Sequence, residues 1–118
     1  MERKRKVKKR VMRKKRARVK IFGTKNRPRL SVFRSSKHIK LQLIDDENKK
    51  TILSADDTGF NKKEKSTKTE IAFEVGNNLA EEAKKKKIKE IVFDKGGYAY
   101  HGRVKSVAEG ARKGGLLF

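Results

Sequence analysis

The stretch Asp94-Lys95-Gly96-Gly97-Tyr98-Ala99-Tyr100-His101-Gly102-Arg103-Val104-Lys105 sets aromatic hydroxyls, an imidazole and cations among three glycines. Gly96 and Gly97 allow the backbone to approach a ligand or to adopt positive φ. If the stretch is extended, Tyr98 and Tyr100 share one side and offer stacking planes or phosphate-bonding hydroxyls. Arg103 and Lys105 fall in the first turn of a helix expected over roughly 102–113, where the positive end of the dipole disfavours cations. A phosphate seated at that helix terminus explains the placement. The plainer alternative has the tyrosines capping the core and the glycines making a turn, and both readings can hold together.

Two other clusters point the same way. Arg34 and Lys37 bracket a short hairpin connection, and His38 and Lys40 project from the polar face of the strand that follows. Exposed strands also carry cations simply to block edge pairing, so this cluster alone is weak. Residues 1–20 hold thirteen Lys or Arg against one acid, Glu2, leaving +12 there and +9 on the other 98 residues. Such a block can displace counterions from RNA, DNA or an anionic membrane. A solubilising role would need far less charge. In isolation it is expected to be disordered, and a helix is accessible once a polyanion neutralises it.

The acids suggest a rival chemistry. Asp45, Asp46 and Asp94 fall near strand ends, where a ribonuclease-H-like nuclease holds two metal ions with clustered carboxylates. Asp45-Asp46-Glu47-Asn48 is better explained as turn chemistry, and Asp94 as an answer to the lysines around it. No His-Glu metal motif, Gly-Lys phosphate loop or nucleophile elbow is present. No catalytic residue, metal ligand or cofactor is therefore expected, and a metal-dependent nucleic-acid-processing enzyme stands only as the alternative.

Composition narrows the field further. The chain has 118 residues, 34% hydrophobic and 42% charged, with formal net charge +21. Charge of one sign at that density destabilises a compact state unless a polyanion neutralises it. The absence of cysteine excludes disulfides and thiolate metal sites. No apolar run is long enough for a membrane span, and the basic segment lacks the bulky apolar face of an interfacial helix. A soluble cytoplasmic protein, monomeric when free, is the expectation.

These groups need a scaffold. After a turn at Gly23 to Asn26, Leu30 to Arg34 reads as a strand. His38 to Ile44 alternates, with Ile39, Leu41 and Leu43 on one face. Thr51 to Ala55 completes an antiparallel meander. Residues 56–66 read as a mobile polar loop. Thr67 and Glu70 form a capping-box pattern before a helix striped by Ile71, Val75, Leu79 and Ala83. Lys84 to Lys87 suit the negative end of its dipole. Ile88 to Phe93 reads as a strand buried on both faces, returning by a crossover to lie parallel to the first. The last helix carries Val104, Val107, Ala108 and Ala111 and stops at Gly114-Gly115. The division is a basic tail, 1–22, and one α/β domain, 23–118.

Arg27-Pro28-Arg29-Leu30-Ser31-Val32-Phe33-Arg34-Ser35, Lys37-His38-Ile39 and Asp45-Asp46 resemble the first half of the family of bacterial large-subunit ribosomal protein eighteen. Val92 to Lys105 resembles its second half. The resemblance implies a three-layer ribonuclease-H-like α/β core with a mixed sheet. It implies a structural constituent of the large ribosomal subunit that binds 5S rRNA and helps attach it in the central protuberance. Implied partners are 5S rRNA, 23S rRNA, and ribosomal proteins five and twenty-five, mostly through RNA. The RNA-facing residues it implies are Arg29, Arg34, Lys37, His38, Tyr98, Tyr100, His101, Gly102 and Arg103, to which Lys40 and Lys105 are added from their own placement on the strand and the helix start. From the tail it adds Lys4, Arg5, Lys8, Lys9, Arg10, Arg13 and Arg16. This sequence departs from the family pattern at Lys40, where relatives often have an aromatic ring to stack, and at Leu117, where an acid is common.

Overall fold

The computed structural model describes residues 21–58 and 67–118, together with Lys9 and Met12. The expectations for the rest of the tail, Lys4, Arg5, Lys8, Arg10, Arg13 and Arg16 included, and for the loop centre at 59–66 lie outside the described residues. Strands β1 (Arg29–Arg34), β2 (Ile39–Asp45) and β3 (Lys50–Asp56) form the meander. Helix α1 (Lys68–Lys85) leads to β4 (Val92–Asp94), and α2 (Arg103–Lys113) follows. The sheet order is β3-β2-β1-β4, with β4 parallel to β1 and the other pairings antiparallel.

Period-two alternation sets the faces. Leu30 and Val32 of β1 pair with Leu43 and Leu41 of β2, and all four are buried on the helix side. They join Val75, Leu79, Val104, Val107 and Ala111 in one apolar cluster. Both helices therefore cover the same face. Among the described residues the architecture is a mixed four-stranded sheet with a helix pair packed on it, the α/β fold expected.

The helices meet through glycine. A Cβ on Gly110 would collide with the Phe73 carbonyl, and one on Gly76 with the Val107 carbonyl. Small residues at both positions let two backbones touch, which larger side chains would prevent.

Local chemistry sets the ends. Thr67 Oγ1 accepts the Glu70 amide at 3.2 Å, as the capping pattern predicts. Both helices close with a paired C-terminal motif. In α2 the Leu116 amide reaches the Ala111 carbonyl and the Gly115 amide that of Arg112, with Gly115 at φ 108°. In α1 the Ile88 amide reaches Ala83 and the Lys87 amide reaches Lys84, with Lys87 at φ 62°.

Strand β4 is shorter than Ile88 to Phe93 and lies at the sheet edge. Ile91 is fully buried but precedes the strand, its amide bonded to the Leu117 carbonyl. The unbroken apolar run thus marks a buried entry to the strand rather than a strand covered on both sides.

Candidate nucleic-acid interface

Arg29 reverses its expected role. It is 3% exposed. Its guanidinium donates to Asp94 Oδ2 at 2.8 Å and to both Asp46 carboxylate oxygens, at 2.9 and 3.1 Å. Burial alone would lower its pKa, but the two carboxylates outweigh that and raise it. Arg29 thus ties β1 to the end of β2 and to β4 and presents no donor to a partner. Asp94 answers this arginine, not the surrounding lysines, and its other oxygen accepts the Gly96 amide at 2.9 Å. A cation occupies the space between two of the acids a nuclease would need. Asp45 is turn chemistry, accepting from the Glu47 amide and from the Asn48 amide and side chain, which lowers its pKa.

Tyr98 also turns inward. Gly96 and Gly97 adopt φ of 67° and 80°, and the Tyr98 amide bonds back to the Lys95 carbonyl at 3.2 Å. The segment is a double turn, not an extended strand, so the tyrosines do not share a side. Tyr98 is buried in the core cluster, and its hydroxyl donates to the Arg34 carbonyl at 2.9 Å. Its role is core capping and hairpin placement. Tyr100 remains 41% exposed, edge-on to Phe93 at 6.1 Å.

The structure brings Arg34, Lys37, His38, Lys40 and Arg103 to one end of the sheet. The β1–β2 connection is closed by the Ser35 amide on the His38 carbonyl and the His38 amide on Ser35 Oγ. Arg103, from the start of α2, reaches across to donate to the Ser35 carbonyl at 2.7 Å. Arg34 lies over the Tyr98 ring, 4.9 Å from its centre. Partial burial and the nearby charge of Arg34 both lower the Arg103 pKa. Two guanidinium groups held so close are stabilised by an anion between them. Lys37, His38 and Lys40 are exposed beside them, and His38 Nδ1 lies 3.3 Å from Asp57 Oδ1.

The first turn of α2 has the electrostatics expected for an anion site. Gly102 caps it at φ 56° with no side-chain hydrogen bond, and the turn contains no acid. His101 and Lys105 are exposed, with Lys105 within 3.9 Å of Glu109. Lys9 is exposed as well.

Two residues at this end were not anticipated. Lys68 donates from α1 to the Ser36 carbonyl. Phe33 is 55% exposed and sits directly across from Lys40 on the face opposite the helices. Its exposure was readable, because Val32 and Leu30 take the inward positions and leave residue 33 outward.

Residues 3–118 match the family model for ribosomal L18 of archaea, bacteria, mitochondria and chloroplasts. The chain is 53% identical over 109 residues to large ribosomal subunit protein uL18 of Lactobacillus johnsonii, covering 92% of each chain. It is 52% identical over 112 residues to uL18 of Thermotoga neapolitana, again 92% of each. It is 50% identical over 107 residues to uL18 of Bacillus cereus, with 87% of each covered. With its basic hairpin end and near full-length similarity to these proteins, the chain belongs to the ribosomal L18 family.

Proposed function

We propose that this chain binds 5S rRNA and helps attach it in the central protuberance of the large ribosomal subunit. Its family makes it a structural, rRNA-binding protein of the large subunit and not an enzyme. The finer reading is supported by one observation above all: Arg34, Lys37, His38, Lys40 and Arg103 converge at the hairpin end beside a helix start that has no side-chain cap. Such a surface suits RNA phosphates, while Tyr100, His101 and Gly102 extend it towards the start of α2. Residues 1–22 form the basic tail of this reading and 23–118 its folded domain, with 23S rRNA and ribosomal proteins five and twenty-five as further neighbours. Affinity purification of the tagged full chain from lysate, followed by sequencing of the bound RNA, tests it. Enrichment of 5S rRNA is expected, and its loss in an Arg34→Ala, Arg103→Ala variant that still folds. Recovery of other RNA without 5S rRNA would overturn the reading.

A further inference from the structure

At the opposite end of the sheet, the segment before β1, the β2–β3 turn and the C-terminus of α1 enclose an open groove of about 850 Å³. Lys25, Lys50, Lys86 and Lys87 line it, together with Asn26 and Asn48. Ile52 and Ile88 add apolar surface to the lining. Its one acid, Asp45, already has both carboxylate oxygens engaged by Glu47 and Asn48. Among the described residues, none of the four lysines pairs with a carboxylate.

A helix dipole explains cations in the last turn of α1, but not Lys25 or Lys50, which come from other segments. Nor does it explain the backbone. Lys87 occupies the left-handed position of the helix-closing motif, where glycine is usual, and Lys49 beside Lys50 is left-handed too, at φ 53°. Of these two, Lys87 lines the groove, and there a lysine stands where glycine would relieve strain, which points to a use for its charge.

We propose that this groove seats the phosphodiester backbone of a second RNA segment, separate from the one at the hairpin end. The inference rests on the rRNA-binding reading above. The seven residues of β2 span about 20 Å at roughly 3.3 Å each. That exceeds the Debye length of about 8 Å at physiological salt, so the two cationic ends act as separate sites. Clustered ammonium groups suit phosphate oxygens, and the apolar surface accepts a sugar edge.

The test places a benzophenone-bearing amino acid at Lys50, and separately at Lys37, in the full chain assembled into large subunits. Both positions should crosslink to RNA, at nucleotides that are not contiguous. Crosslinks to RNA from position 37 but only to protein, or to nothing, from position 50 overturn the groove while leaving the hairpin-end reading intact. Failure of RNA crosslinking from both positions overturns both. A second measurement uses the combined Lys25→Gln, Lys50→Gln, Lys86→Gln, Lys87→Gln variant, checked to melt with the parent. It should be washed from large subunits at lower salt than the parent, with retention restored by four arginines. Unchanged retention of the glutamine variant would count against the proposal.

Discussion

Arg29 and Asp94 stand 65 positions apart in the chain and meet at 2.8 Å, with the aspartate fully buried and the arginine nearly so. The contact spans the parallel β1–β4 pairing, whose register sets Arg29 against Val92. Asp46 completes the set from the end of β2. One guanidinium therefore links three neighbouring strands of the sheet.

Breaking that link should be severe. Arg29→Ala strands two carboxylates and should cost about 3–5 kcal/mol, as for other buried pairs that lose one partner. Asp94→Ala should lie in the same range. Urea denaturation of the variants measures this, and a loss below about 1 kcal/mol would show that Arg29 is held by packing alone.

The two tyrosines should separate stability from binding. Tyr98→Ala opens the core and should cost about 3–5 kcal/mol, as for other large aromatics truncated in a core. Tyr100→Ala should leave melting nearly unchanged and weaken 5S rRNA binding by about 1–3 kcal/mol, the range for a stacked base. Thermal melts and filter binding on the same preparations distinguish them. Equal effects of both substitutions on melting would contradict the inward and outward assignments.

Gly110→Ala should destabilise even though alanine favours helices. The added methyl meets the Phe73 carbonyl of α1, which is backbone and cannot rotate away. The expected cost is about 1–3 kcal/mol, as for other overpacked sites, against a propensity gain of about 1 kcal/mol. A calorimetric melt that rises on substitution would mean that the helices can separate freely.

Binding should be strongly dependent on salt. With roughly 6–10 phosphates engaged, affinity should fall about 10³–10⁵-fold between 50 and 200 mM salt. Removing residues 1–20, which carry +12, should weaken binding and flatten that dependence. A fluorescence titration series checks both, and a flat response in the full chain would refute the electrostatic account.

Much of the scaffold was legible because short-range rules govern it. Alternation at Ile39, Leu41 and Leu43 placed β2 and its inward face, and Thr67 with Glu70 marked the start of α1. The role of Arg29 was not legible, and that of Tyr98 was legible only as one of two alternatives, core capping beside RNA contact. Each depends on a partner more than sixty positions away, Asp94 for one and the Arg34 carbonyl for the other. A motif can show that an arginine matters without showing whether it meets solvent or a carboxylate. The double turn at Gly96-Gly97 reversed the tyrosine reading because alternation holds only in extended chain. Lys86 and Lys87 were assigned to the dipole of one helix, since nothing local reveals that Lys25 and Lys50 arrive beside them.

The parallel placement of β4 has a consequence for synthesis. A growing chain delivers β1, β2 and β3 well before Val92 to Asp94 exist. Until then β1 is an open edge, and Arg29 has only Asp46 to meet. The meander must wait for the last quarter of the polypeptide, a non-local closure of the kind that slows folding. Exposed strand edges in such a waiting state invite association with other unfinished chains. The dense positive charge opposes that encounter, because two nascent chains of this protein repel each other strongly. The same lysines and arginines that suit the mature protein to a polyanion thus also protect it while it is still being made.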